Sequence, residues 1–150
     1  MQLLFDENVP RQLVEAIRAF MRNHQCDHVI DKSWSGTKDL DLYPRAAEHG
    51  YQAVVTNDVK QMKRQLEVEA IAKSGLHRIE YRQKHPGLEG LGLAIGTVSA
   101  ALPLAVKELE QAAGQLMIQL RAVNPGSRER LKIINPRTDP PAFWPSSKDV

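Results

Sequence analysis

Cysteine is nearly missing from this 150-residue chain: Cys26 stands alone, so no internal disulfide framework can form, which fits a reducing, cytoplasmic setting. A secretory leader is not expected either, because Asp6 and Glu7 stand where its basic region and apolar run would lie. Net charge is only +2, so bulk charge gives no argument for nucleic acid. Basic residues matter instead through local clusters, at Lys60 to Arg64 and at Arg128 to Lys132. No clean membrane span is present. The stretch from Gly90 to Val106 carries no charge, yet Gly90, Gly92, Gly96, Thr97, Ser99 and Pro103 dilute it. It reads as a buried helix or as a packing face, the latter fitting a homodimer, with a transmembrane span the weaker alternative. The same glycines follow no strand at phosphate-loop spacing. His24, Cys26 and His28 alternate like part of a zinc site but lack a fourth ligand, so a loop and strand edge is the plainer reading.

What remains is ordinary globular material, 42% hydrophobic and 25% charged, in a length that suits one domain. Short apolar runs predict strands at Leu3 to Phe5, His28 to Ile30, Ala53 to Val55 and Leu76 to Tyr81. Helical spacing predicts helices over Val9 to Met21, Asp39 to His49 and Val59 to Lys73, with Pro44 kinking the second or delaying its start. Polar residues from Asp31 to Lys38, with Gly36, read as a loop, and a second loop runs from Pro86 to Gly90. Long helical material then runs to about Val123, divided at Pro103. A last edge strand is expected at Arg130 to Ile134, and residues 136–150 read as a proline-rich tail to a domain of residues 1–135. Strands alternating with helices predict an α/β fold: three layers around a mainly parallel sheet of about four to five strands.

Two of these strands deliver an aspartate where the apolar run stops, Asp6 in LLFDEN and Asp58 in VVTND. In parallel α/β sheets ligands bind outside the carboxyl ends of the strands. Two carboxylates about 4 Å apart repel by roughly 4 kcal/mol at an effective dielectric near 20. A hard divalent cation, Mg²⁺ or Mn²⁺, relieves that repulsion, and such ions are usually held by carboxylates together with substrate phosphates. A phosphodiester is the matching substrate class.

LLFDENVP, KDLDLYPRAAEHG and AVVTND, in that order, resemble the PIN-like nuclease superfamily, and within it the short proteins similar to VapC-type toxins. The resemblance covers roughly the first 80 residues. It implies a Mg²⁺- or Mn²⁺-dependent ribonuclease acting on RNA, commonly a toxin paired with a cognate antitoxin protein. On this resemblance Asp6, Asp39 and Asp58 match the acidic metal ligands, while Thr56 and Asn57 complete the turn and hydrogen-bond a carboxylate or the substrate. Many members continue that turn with a further acidic residue and an aromatic. This chain has Lys60 and Gln61 there, leaving Glu48, Glu80 or Asp41 to supply a fourth carboxylate, or none.

Each residue also has a plainer reading. Asp6, Asp39 and Asp58 suit helix caps, and Asp41 a solvated face. Arg11, Lys60, Lys63, Arg64 and Arg82 are candidate phosphate contacts, and equally the exposed face of a helix or loop. Trp34 and Trp144 read as binding aromatics or loop anchors. Two further function classes stand beside the nuclease: a catalytically silent PIN-like module that binds RNA or protein, and a receiver-type phospho-signalling domain using Asp6, Glu7, Asp58 and Lys107. The latter is the weaker, since Lys107 falls within a predicted helix rather than at a strand end.

Overall fold

The computed structural model describes residues 1–122 and 131–145. Five strands and four helices alternate: β1 (Gln2–Phe5), α1 (Arg11–Phe20), β2 (Gln25–His28), α2 (Asp39–Glu48), β3 (Ala53–Thr56), α3 (Gln65–Ser74), β4 (His77–Glu80), α4 (Gly87–Glu110) and β5 (Met117–Gln119), with a 3-10 helix at Val59–Lys63. The strands form one all-parallel sheet in the order β2-β1-β3-β4-β5. The α/β layering expected from the alternation is therefore present.

Side chains of a strand alternate between faces, and both faces of this sheet are covered. Leu3, Phe5, Ala53, Val55 and Ile79 meet α1 and α4 in one core; Leu4 and Val54 meet α2 and α3 in the other. Helix α1 contributes the stripe Leu13, Val14 and Ile17. Helix α4 passes for a membrane span by length and composition, but here Ala94, Val98, Leu102, Ala105, Val106 and Leu109 belong to the first core. Those residues lie on both sides of Pro103, so one continuous packed face keeps α4 a single helix rather than the expected two.

Other boundaries differ from the sequence reading for local reasons. The second strand occupies 25–28 instead of 28–30, because the backbone turns back immediately afterwards: the Asp31 N–H bonds the His28 carbonyl and the Lys32 N–H that of Val29. Helix α2 begins at Asp39 without waiting for Pro44, its first turn closed on the Lys38 carbonyl by the Asp41 and Leu42 N–H groups. The helix expected from Val59 to Lys73 is broken at Arg64, which takes an extended backbone between the 3-10 helix and α3. The helical material expected to run to Val123 stops at Glu110, and the fifth strand is Met117–Gln119. Of the strand expected at Arg130 to Ile134, Arg130 lies outside the described residues and 131–134 are not extended into any ladder. Tail residues 136–145 form turns at the surface, and 146–150 lie outside the described residues.

Candidate active site at the carboxyl edge of the sheet

The sheet order has a reversal of direction between β1 and β3, since β2 is added on one side of β1 and the later strands on the other. Such a switch point leaves a crevice between the two strand ends. Asp6 and the turn Thr56, Asn57, Asp58 stand there. The Thr56 hydroxyl donates to Asp6 Oδ2 at 3.0 Å and accepts the Asp58 N–H at 3.0 Å, so one hydroxyl fixes both acidic positions. Asp6 Oδ1 accepts the Glu7 N–H at 2.6 Å, and Asn57 Nδ2 donates to the Asn8 carbonyl at 3.0 Å. Asp58 Oδ1 accepts the Lys60 N–H at 3.1 Å and so caps the 3-10 helix. Capping and ligand binding are compatible at such a position.

Asp6 is buried, and that burial raises its pKa; hydrogen bonds from Glu7 and Thr56 pull the other way, and the charges of Asp58 and Glu7 add to the rise. Asp39 opens α2 beside it without capping the helix. Burial, then the charges of Asp6, Glu67 and Asp58, push the Asp39 carboxyl up to about 6, and only Arg64 opposes them. The Arg64 guanidinium lies between these acids: Nη1 is 3.6 Å from Asp39 Oδ2, 3.6 Å from Asp58 Oδ2 and 3.1 Å from Glu67 Oε2. As arranged, no group of three or more acidic, histidine or cysteine side chains among the described residues is close enough to hold a metal ion.

A buried network supports the turn from below. Arg78 donates to Gln61 Oε1 at 3.0 Å, to Glu80 Oε2 at 2.9 Å and to the Asp58 carbonyl at 2.8 Å, while the Tyr43 hydroxyl donates to Gln61 Oε1 at 3.3 Å. The fully buried Tyr81 hydroxyl finds no well-formed hydrogen bond, with Asn57 and Asp6 the polar side chains acting on it.

The sequence model of the PIN-like domain family matches residues 1–81. The chain belongs to the PIN-like domain family. Comparison with curated proteins and with solved structures gives no match. The matched part of this PIN-like domain runs from β1 through β4 and contains every acid of the cluster; α4 and β5 lie outside it.

Within the PIN-like domain, Asp6, Asp39, Asp58, Thr56 and Asn57 gather at one edge of the sheet. The positively charged candidates do not gather in the same way. Arg11 pairs with Asp31 at 2.8 Å, and Arg64 is engaged by the acids. Lys60 and Lys63 are exposed on the 3-10 helix, and Arg82 is exposed just after β4. Of the three residues considered for a fourth carboxylate, Glu80 is paired with Arg78, Asp41 is exposed and Glu48 ends α2 at the far end from Asp39. Glu67 is the acid that joins the cluster. Its spacing of three from Arg64 on a helical stretch was the available signal. Gln61 stands where an aromatic is usual and serves as the acceptor for Arg78 and Tyr43.

Two other readings lose their geometry. His24 Nδ1 bonds the N-terminal amine, His28 Nε2 donates to the Val9 carbonyl and the buried Cys26 thiol is pushed up to about 11, so these residues do not converge as zinc ligands. Lys107 lies beside Phe20, Met21 and His24, near the amino end of β2 and away from Asp58, which removes the receiver arrangement. Trp34 packs edge-on against His49 and Tyr51 as a loop anchor.

Proposed function

We propose that this PIN-like domain is a Mg²⁺- or Mn²⁺-dependent endoribonuclease that hydrolyses RNA phosphodiester bonds, the toxin of a toxin–antitoxin pair similar to the VapC type. The observation that carries this reading is the gathering of Asp6, Asp39 and Asp58 at the β1/β3 switch point, where burial first and then the neighbouring acids push the Asp39 carboxyl up to about 6. An all-oxygen, mutually repelling donor set fits a hard divalent cation. Asp6, Asp39 and Asp58 would hold the ion, with Glu67 within reach as a fourth acid. A bound ion supplies Lewis-acid activation of water and offsets charge at phosphorus.

The chain's own part is positioning. Thr56 holds Asp6 and the Asp58 turn in one register, and Arg78 anchors the Asp58 carbonyl from beneath. Lys60, Lys63 and Arg82 place exposed cations around the same edge, where an RNA backbone would meet them. A cognate antitoxin would then be the protein partner that silences the cleft.

The test is cleavage of structured and unstructured RNAs with Mg²⁺, Mn²⁺ or EDTA, using an Asp6→Asn/Asp58→Asn double variant to expose contaminating nuclease. Cutting that needs both metal and the aspartates supports the nuclease. A second reading, a catalytically silent RNA- or protein-binding module, is favoured by Lys60 at the customary acidic position and by Arg64 among the acids. RNA binding without cleavage by a folded protein that fails to bind Mn²⁺ would select it.

A further inference from the structure

We infer that Arg64 is a built-in cation of the acidic site, one that a divalent ion must displace in order to bind. The inference rests on the metal-binding reading above and concerns what governs occupancy. Three elements each send an acid to the same guanidinium nitrogen: α2 through Asp39, the turn after β3 through Asp58, and α3 through Glu67. Carboxylates drawn from separate elements would repel one another without a positive charge among them. Arg64 supplies that charge in the metal-free chain.

The geometry shows a cation that can be exchanged. Glu67 alone receives hydrogen bonds from Nη1, at 3.2 and 3.1 Å to its two oxygens. Asp39 and Asp58, both at 3.6 Å, are offset by charge alone. Arg64 is therefore anchored by Glu67, three positions on, and merely leans on the two aspartates that the metal reading requires. Its side chain is 49% exposed, so it can leave the aspartates without disturbing either core. It also sits at the extended break between the 3-10 helix and α3, so its backbone lies outside both helices. A divalent ion with two charges and stricter demands on oxygen geometry would take Asp39 and Asp58, and the guanidinium would turn outward.

The consequence is competition. Metal affinity in the wild-type chain is set below what its acids would otherwise give, because each binding event must break these pairs. The experiment is titration of the full chain with Mn²⁺, following the free-ion signal by electron paramagnetic resonance, for wild type, Arg64→Gln, Arg64→Lys and Lys63→Gln. Arg64→Gln is expected to bind Mn²⁺ roughly tenfold more tightly, from the loss of several half-exposed ion pairs. Arg64→Lys, shorter and without the planar fork, is expected to fall between the two. Lys63→Gln removes the same charge one residue away and is expected to change affinity by less than about twofold, since an exposed charge is screened. Without metal, Arg64→Gln is expected to melt below wild type and to gain more on addition of Mn²⁺.

Equal affinity in wild type and Arg64→Gln, with both binding Mn²⁺, overturns the competition and leaves the metal site standing. Equal tightening by Lys63→Gln overturns it as well, by showing a general field rather than displacement. If no variant binds Mn²⁺, the nuclease reading fails and this inference goes with it.

Discussion

Asp39 shows how burial and charge compete on a single carboxyl. Its pKa rises from 3.8 to about 6 on folding, so between those values the folded chain holds a proton that the unfolded chain has released. Stability then falls as pH rises through that window, because the folded state binds more protons there. Asp6, also raised, acts in the same direction, whereas Glu7 and Asp31 are held low and act at more acid pH. The melting temperature of the metal-free protein is accordingly expected to decline between about pH 4 and pH 6, and Asp39→Asn to flatten the decline. An unchanged slope in that variant would reject the assignment. Sequence alone marked Asp6, Asp39 and Asp58, since each is an acid at the start or end of a predicted element. Arg64 looked like a phosphate contact because its neighbours Lys60 and Lys63 are basic. Its true company is acidic and comes from three different elements, which no local pattern announces.

Between elements, the tie that matters most for the site is Arg78, which reaches from β4 to the turn after β3 and keeps Glu80 neutralised in the interior. Removing one partner of a buried pair leaves the other charge without compensation, at a cost of about 3–5 kcal/mol. Arg78→Met is expected to lose stability of that order in urea unfolding, and an added Glu80→Leu to restore a large part of it. A loss below about 1 kcal/mol would mean that Glu80 escapes to water. The central strands were legible because burial on both faces makes them continuous apolar runs: Leu3 to Phe5 and Ala53 to Val55 lie where expected. The edge strands were not. In β2, Gln25 is exposed and Asp27 half-buried, and β5 has only three residues, so neither carries enough apolar pattern to stand out. The break at Arg64 was hidden for another reason: Gln61 is drawn inward by Arg78 and Tyr43, which helical periodicity cannot foresee.

For the molecule as a whole, the two cores end at Leu120 among the described residues, and none of residues 131–145 belongs to either. Leu131, Ile133, Phe143 and Trp144 are exposed, and described tail residues bond one another, as from Thr138 to Asn135 and from Trp144 to Pro141. Serine at Leu131, Ile133, Phe143 and Trp144 together is therefore expected to leave unfolding cooperative and to change stability by no more than about 0.5 kcal/mol. A larger loss, measured by the same urea titration, would assign the tail a structural role.

The strand order carries a consequence for how the molecule comes into being. A chain emerging from its N-terminus lays down β1, sets β2 on one flank and β3 on the other, and then only extends outward through β4 and β5. Each new strand finds its neighbour already made. Asp6, Asp39, Asp58, Arg64 and Glu67 all precede β4 in the chain, so the acids and their counter-charge are made as one installment of synthesis. One span of the chain therefore carries both the acidic edge and its guanidinium, and no member of the cluster waits on α4 or β5 to be made.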